Sequence, residues 1–435
     1  MFSPDGVARL YGENGTVANT YTGWMTATYE SRDTPWHAQR LDITSVVIEN
    51  NVNPTSTDNW FGFLRWLTDA TIGNGVTNIG EDMFMYCEGL TSVTIPDSVT
   101  TISDNAFYNC GNLKSVSFSK NNQLTFIGAS AFRICESLNS IDLPSSVTTI
   151  GGSAFYGCTS LTNITIPTGV TNIDNYTFYG CTSLVNVTIP GNVTSIGDTA
   201  FSECDSITSI TIPDSVTSIG YGAFNLCDSL ANVYIGKGVT YMVRNSMSTP
   251  FSGCPNLASI SVSSSNTAFC SVGGVLYNKG MTQIVCYPAG KSATSFVIPS
   301  SVTTIGDKAF GGCTGLTSIT IPDSVTNIGD SAFSKCTGLK SVTIGSGATS
   351  IGRNAFYGCA GLKEVVIGSG VEKIGQYAFQ SCTNLASITF NDPYVWYYTS
   401  NSSYTNGTQF DVSDKSAAAT ALWETYCDQY WYKVD

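Results

Sequence analysis

Apolar and polar positions follow each other along this chain in a pattern that returns every 23 residues. The stretch 154–173 reads AFYGCTSLTNITIPTGVTNI, and its apolar positions recur with small polar residues between them. A cysteine marks each copy, at a step of 23 residues that is once 25, and a Phe stands three residues before it. These cysteines are Cys87, Cys110, Cys135, Cys158, Cys181, Cys204 and Cys227 and, after an interruption, Cys313, Cys336, Cys359 and Cys382.

Each copy contains two apolar pairs that predict two short strands. The first pair, such as Ile164 and Ile166, is spaced by two residues, as in a half-buried strand. The second pair, such as Val170 and Ile173, is followed by Gly or Asp, which turns the chain towards the next Phe. One such turn, which we call a rung, buries too little apolar surface to fold alone, so rungs must stack. The pattern predicts a β-rich solenoid of about fourteen 23-residue rungs.

The period sets the expected segment bounds. We expect the solenoid to span residues 43–390, with degenerate rungs at 43–75 in which Leu64 takes the place of the cysteine. Residues 1–42, with Trp24 and Trp36, lack the period and are predicted to cap the first rung. Residues 391–435 are the predicted C-terminal cap, in which 413–430 has the apolar spacing of a helix.

One internal segment, 263–301, is longer than a regular rung. Its sequence VLYNKGMTQIVCY places two apolar stretches around Asn278, which predicts a β-hairpin standing off the solenoid. Such a hairpin is a reasonable place for binding specificity. The alternative is a spacer that resets the curvature of the solenoid.

Composition excludes several classes of partner. The formal net charge of −13, with 19 Lys and Arg, argues against binding to nucleic acid or to an anionic membrane surface. No stretch approaches the roughly 20 apolar residues of a membrane span, so no direct membrane insertion is expected. The first residues, MFSPDGVARL, lack the order of a secretory signal, and export cannot be inferred from them.

The fifteen cysteines form no C-x-x-C pair, which argues against a zinc site, and no metal or cofactor is expected. Cysteines one rung apart are predicted to form a column of reduced, buried thiols. Cys270 and Cys286 bracket the predicted hairpin and are the best candidates for a disulfide.

An enzyme is disfavoured because the chain has one histidine, His37, to serve nucleophilic catalysis. Paired carboxylates could serve a polysaccharide-acting enzyme. However, Asp97, Asp214 and Asp323 recur at turns, where we expect their side chains to cap backbone amides.

The combination of AFxxC, LxxIxIP and VTxIG at a 23-residue step resembles the BspA-like leucine-rich repeat of bacterial surface proteins, over residues 43–390. The hairpin sequence and TPWHAQRLDITSVVIE resemble a variant rung and the N-terminal cap of that family. The resemblance implies a leucine-rich-repeat solenoid, β-rich α/β in class, with an extracellular or cell-surface role in adhesion to host matrix proteins, host cells or other microbes. The expected function is a non-enzymatic binding scaffold, here taken as a monomer, whose partner is a host or microbial surface protein or glycan. The alternative is a passive spacer that presents another domain.

Two surfaces are candidates for binding. Outward positions of the first strand would form an uncharged face of hydroxyls and amides, which in leucine-rich repeats is the concave face that often holds the ligand. The alternative is that these are simply well-solvated strand residues; an ice-binding array is a remoter one. These positions are Asn163, Thr165, Asn186, Thr188, Ser209 and Thr211.

The second candidate surface follows the Phe of four successive rungs, where planar side chains could stack on sugars or on peptide side chains. The alternative is that they are half-buried packing against the core. These residues are Tyr108, Arg133, Tyr156 and Tyr179.

Overall fold

The structure, a computed structural model, describes residues 7–10 (backbone only), 43–50, 57–242, 249–392 and 395–434. It divides into two compact units, Met1–Ile207 with Ser215–Phe224, and Thr208–Asp214 with Asn225–Asp435. Each unit is a parallel β-solenoid of 23-residue rungs, which confirms the predicted fold class. Counted by their first strands, the described residues contain seven rungs in the first unit and eight in the second.

The first strand of each rung, which we call the long strand, pairs in parallel and in register with the long strands of neighbouring rungs in the same unit. In the second unit this pairing is interrupted once, between Val262 and Ser295, where the hairpin segment intervenes. Asn163, for example, pairs with Asn186, one repeat further along the chain. In the first unit the long strands are Ser45–Ile48, Asp69–Ile72, Ser92–Ile95, Ser115–Phe118, Ser140–Ile141, Asn163–Thr165 and Asn186–Thr188. In the second unit they are Ser209–Ile212, Asn232–Ile235, Ser259–Val262, Ser295–Val297, Ser318–Ile321, Ser341–Ile344, Glu364–Ile367 and Ser387–Phe390.

The second strand of each rung is only two residues long. Its last residue is buried, and its first is exposed or half-buried. In the first unit these short strands are Asn78–Ile79, Thr101–Ile102, Phe126–Ile127, Thr149–Ile150, Asn172–Ile173, Ser195–Ile196 and Ser218–Ile219. In the second unit they are Tyr241–Met242, Thr304–Ile305, Asn327–Ile328, Ser350–Ile351 and Lys373–Ile374.

The AFxxC turn forms a third wall that is also hydrogen-bonded between rungs. The amides of Asn105 and Phe107 donate to the carbonyls of Ala129 and Ala131 at 2.9 and 2.8 Å. Asn105 has a φ of 54°, and residues in the same place on other rungs share this left-handed conformation. Asn adopts this conformation more readily than most residues, and it recurs at this place on other rungs.

Stacked Phe rings fill the interior of each unit. In the first unit, successive ring centroids from Phe61 to Phe224 lie 5.1–5.6 Å apart. In the second unit, the rings from Phe310 to Phe379 lie 4.8–5.1 Å apart. Leu64 is fully buried in the place of a cysteine, as predicted. These columns carry most of the aromatic burial that holds the rungs together.

The cysteines form the predicted column of buried, reduced thiols. Most of these thiols also donate a hydrogen bond to the carbonyl of the Phe one rung back; Cys158 Sγ, for example, lies 3.2 Å from Phe132 O. Burial raises the pKa of the Cys158 thiol to about 12. These thiols are therefore both small apolar groups and hydrogen-bond donors. The spacing of the cysteines predicted only the apolar role.

The hairpin segment differs from the prediction, because it is part of the solenoid wall. Its strands are Phe269–Val272, Val275–Asn278 and Gln283–Cys286, each antiparallel to the next. The third pairs in parallel with Thr304–Ile305, so the sheet of short strands continues into the hairpin. Its apolar side chains, such as Leu276 and Ile284, are fully buried, and a hairpin standing in solvent would expose them.

The candidate disulfide between Cys270 and Cys286 is not formed, since both are free thiols. Cys270 pairs with Tyr277, and Cys286 pairs with Leu276, so the two cysteines lie on opposite sides of one strand. Two strand spacings, about 9.6 Å, exceed the Cα separation that a disulfide can bridge.

The C-terminal segment packs on the last rungs of the second unit. Its strands are Val395–Thr399, Thr408–Phe410 and Tyr430–Val434, and its helix is Lys415–Thr420, followed by a π-helical turn Ala421–Thr425. Asp414 caps the helix by accepting from the amides of Ser416 and Ala417. The predicted helix to residue 430 was too long, because the aromatic end of the chain pairs as a strand with Lys373–Ile374. Of the predicted N-terminal cap, Trp24, Trp36 and His37 lie outside the described residues.

Candidate functional site

The long strands expose one face of each unit to solvent. Their side chains alternate, so that Ile164 is buried while Asn163 and Thr165 are exposed. In-register pairing then places Asn186 beside Asn163 and Thr188 beside Thr165. We call the outward positions of these strands the long-strand face.

Some of the polar side chains on this face form hydrogen bonds within the chain. Asn186 Nδ2 donates to Asn163 Oδ1 at 3.3 Å, and Asn163 Nδ2 donates to Thr162 Oγ1 at 3.1 Å. Among the described residues, none hydrogen-bonds the hydroxyls of Thr165 and Thr188. Those hydroxyls are available to a ligand, as are the donors and acceptors of the Asn side chains that are not used within the chain.

The other predicted members of this face, Ser209 and Thr211, belong to the second unit. They pair with Asn232 and Tyr234, whose ring is 40% exposed. The long-strand face of the second unit therefore carries an aromatic side chain next to its hydroxyls. The first unit has uncharged polar residues in the corresponding places from Ser92 to Thr188, apart from one carboxylate, Asp142.

The predicted aromatic positions form a column on the wall that follows the Phe residues. The Arg133 guanidinium lies 3.8 Å from the centroid of the Tyr156 ring, and Tyr156 stacks on Tyr179 at 4.6 Å. Tyr108 contacts Tyr86 edge-on at 5.4 Å. Because both faces of Tyr156 are covered by its neighbours, this ring cannot also stack on a sugar.

Four residues of this wall were missed by the sequence interpretation because they lie one or more positions away from the repeated place after Phe. Tyr86 stacks on Phe63 at 5.0 Å, and Tyr176 lies against Tyr179 with ring centroids 6.1 Å apart. The Tyr179 hydroxyl donates to the Glu203 carboxylate, and this hydrogen bond raises the pKa of Tyr179.

The turn carboxylates have the structural role predicted for them. Asp97, Asp214 and Asp323 each accept a hydrogen bond from a backbone amide, at 3.1, 2.9 and 2.7 Å. Each amide belongs to the next rung, so these caps join neighbouring rungs.

Within the ranges described above, no cluster of three or more His, Cys, Asp or Glu side chains is placed to hold a metal ion. In the same ranges no helix has the length and apolarity that crossing a membrane requires.

Known proteins share this architecture. A family model described as "BspA type Leucine rich repeat region (6 copies)" matches residues 57–168, 148–272 and 285–405. A leucine-rich cell surface protein from Faecalibacterium prausnitzii A2-165 is 33% identical, with 70% of this chain and 79% of that chain covered and a TM-score of 0.52. A leucine-rich repeat protein from Bacteroides ovatus ATCC 8483 is 24% identical, with coverage of 89% and 88% and a TM-score of 0.57. No curated protein matches the chain.

The family model covers most of the chain, and it matches the same AFxxC and VTxIG rungs whose walls and columns are described above. The chain therefore belongs to the BspA-type leucine-rich repeat family.

Proposed function

We propose that this protein is a non-enzymatic binding scaffold, secreted or held at a cell surface, whose long-strand face binds a protein or glycan. The observation that carries the proposal is the run of exposed polar side chains from Ser92 to Thr188, uncharged apart from Asp142, of which Thr165 and Thr188 are free to bond a ligand. The cell-surface description of the Faecalibacterium protein supports the proposed location.

The chemistry of the face favours a particular mode of binding. Amide and hydroxyl groups can donate and accept, so they suit the hydroxyls of a glycan or the backbone of a protein. Because the face of the first unit carries almost no charge, its affinity should depend weakly on salt. Adhesion to host matrix proteins, host cells or other microbes is the proposed use of such a face, and the proposed binding form is the monomer.

The experiment is affinity capture from host-surface extracts and a glycan array, each with the full chain, followed by variants of the face. We expect Thr165→Lys with Thr188→Lys to abolish capture, since two ammonium groups would enter the contact. Thr168→Lys is the matched control, because Thr168 is exposed on a turn off this face. It should capture as the unaltered chain does.

Capture that survives the double variant would contradict the role of the long-strand face. A screen that returns no partner would favour a passive spacer. Reproducible turnover of a polysaccharide would instead favour an enzyme.

A further inference from the structure

One corner of the first unit brings two tyrosine rings and a carboxylate together. The rings of Tyr176 and Tyr179 are tilted by 56° with centroids 6.1 Å apart. The Tyr179 hydroxyl donates to Glu203, which keeps that carboxylate beside the rings. Tyr176 is 44% exposed, so part of its ring is open to solvent.

Tyr176 is an unusual residue for its place in the rung. The same place holds Asn105, Ser130 and Ser153 on the three preceding rungs, and its backbone φ is 59°. A bulky side chain in this left-handed conformation is costly compared with Asn or Ser. The local repeat therefore offers no structural reason for an exposed aromatic ring here.

The second unit contains an equivalent tyrosine, and there a cationic side chain of the chain itself lies over the ring. Tyr377 occupies the place of Tyr176 in its rung, and the Arg353 guanidinium lies 5.5 Å from its ring centroid. The residue that corresponds to Arg353 in the first unit is Gly152. Accordingly, none of the side chains described in the structure places a cation over Tyr176.

The charge of the first unit favours a cationic ligand at this corner. By sequence, the first unit contains 19 acidic and 7 basic residues, whereas the second contains 13 and 12. Almost all of the net negative charge of the chain is therefore in the unit that carries Tyr176. A cationic ligand would be attracted to this unit.

We propose that Tyr176, Tyr179 and Glu203 form a binding site for an arginine side chain of a partner peptide. The guanidinium lies over the exposed face of Tyr176, as Arg353 does over Tyr377, and its N–H groups donate to Glu203. Arginine suits this site better than lysine because its planar group both stacks on a ring and presents several donors to a carboxylate. The site is separate from the long-strand face, so the two proposals can fail independently.

The test is calorimetric titration of the full chain, at low salt, with the peptide acetyl-Gly-Arg-Gly-Arg-Gly-amide. The comparison peptide has citrulline in place of arginine, which keeps the shape and removes the charge. We expect the arginine peptide to bind roughly tenfold more tightly, in line with cation–π contacts reinforced by a carboxylate. Equal affinity of the two peptides would overturn the proposal.

Two variants locate the site. Tyr176→Ser copies the residue of the preceding rung, Ser153, so it should fold normally and bind the arginine peptide roughly tenfold less tightly. Gly152→Arg should supply the guanidinium from within the chain, as Arg353 does, and block the peptide. Gly152→Ala is its control, since an added Cβ meets Asn175 O at 3.1 Å in both variants. Unchanged affinity in Tyr176→Ser, or equal affinity in Gly152→Arg and Gly152→Ala, would contradict the site.

Discussion

In the second unit, the regular rungs and the hairpin rung fill the same interior with different side chains. Phe333 is fully buried and stacks on Phe310 at 4.8 Å. Tyr287 takes the equivalent place at the end of the hairpin and stacks on the other face of Phe310 at 5.0 Å. The thiol of Cys313 donates to the Tyr287 carbonyl, as other thiols do to a Phe carbonyl. An aromatic ring therefore fills this place in the column, next to Phe310, even though the surrounding sequence differs from that of a regular rung.

The two rungs differ in the polar group that the ring carries. Tyr287 is 3% exposed, and no partner among the described residues hydrogen-bonds its buried hydroxyl. Burial raises the pKa of this hydroxyl. An unpartnered buried hydroxyl destabilises the fold by about 1–3 kcal/mol. The hairpin rung is thus expected to be the weaker part of this column.

The largest expected effect is the loss of a ring from a regular rung. Phe333→Ala should lower the free energy of unfolding by about 3–5 kcal/mol, because the stacked neighbours cannot close the cavity. Tyr287→Ala should cost less, since it also removes the unpartnered hydroxyl. Denaturant unfolding followed by amide hydrogen exchange measures both, with the exposed Thr320→Ala as the control. Equal losses in the two variants would contradict the difference between the rungs.

The second effect separates the buried thiols from Cys270, the partly exposed thiol of the hairpin. Burial raises the pKa of several column thiols, among them Cys158 and Cys204, above the value of an exposed thiol. A group with a raised pKa stabilises the folded state below its unfolded pKa, and that stability is lost as the pH rises above it. Stability should therefore fall above about pH 8.5, by roughly 1.4 kcal/mol per pH unit for each thiol whose pKa is raised by burial.

Thiol labelling tests the same difference under native conditions. The partly exposed Cys270 and Cys427 should react first, and the thirteen buried thiols only after unfolding. Rapid labelling of more than two thiols in the folded chain would contradict a closed column. Stability that stays constant from pH 8 to pH 10 would do so as well.

How far the sequence could predict these features depends on how regular each rung is. Identical spacing of Phe and Cys was sufficient to predict the regular rungs and their columns, because every copy repeats the same buried positions. Tyr287 was missed, since Gly290 stands where a cysteine would follow, so the spacing no longer marks the ring. The strand Tyr430–Val434 was missed because its pairing partners, Val395–Thr399 and Lys373–Ile374, are distant in the sequence and leave no local pattern.

The candidate sites follow the same rule. Positions that repeat, such as Thr165 and Tyr156, were placed on their walls by spacing alone. Tyr176 and Glu203 lie in places that hold other residues on neighbouring rungs, so their proximity to Tyr179 could be seen only in the structure.

The third prediction concerns a variant that removes the unpartnered hydroxyl from the hairpin rung. Tyr287→Phe keeps the ring and deletes the unpartnered hydroxyl, so it should raise the free energy of unfolding by about 1–2 kcal/mol. Thermal unfolding and hydrogen exchange in the hairpin strands should both report the gain. Phe333→Tyr is the matched reverse change, which should destabilise a regular rung. A loss of stability in Tyr287→Phe would mean that its hydroxyl is bonded after all.

The smallest expected effect concerns how each rung caps its turn. In the regular rung, Asp323 accepts from the amide and the hydroxyl of Ser346 on the next rung, at 2.7 and 3.0 Å. In the hairpin, Asn278 accepts from Thr282 and Gln283 within its own turn, at 2.9 Å each. Asp323→Ala should therefore weaken the contact between rungs by about 0.5–1 kcal/mol, a low value because Asp323 is exposed.

The loss of each cap should also speed hydrogen exchange at different backbone amides. Asp323→Ala should speed hydrogen exchange at the Ser346 amide, one rung away, whereas Asn278→Ala should act only on its own turn. Asp323→Asn keeps an acceptor oxygen and should preserve most of the protection, which separates the hydrogen bond from the charge. If Asp323→Ala left exchange at Ser346 unchanged, the turn carboxylates would not couple neighbouring rungs. The stacking of aromatic rings and the pairing of strands would then account for the coupling without them.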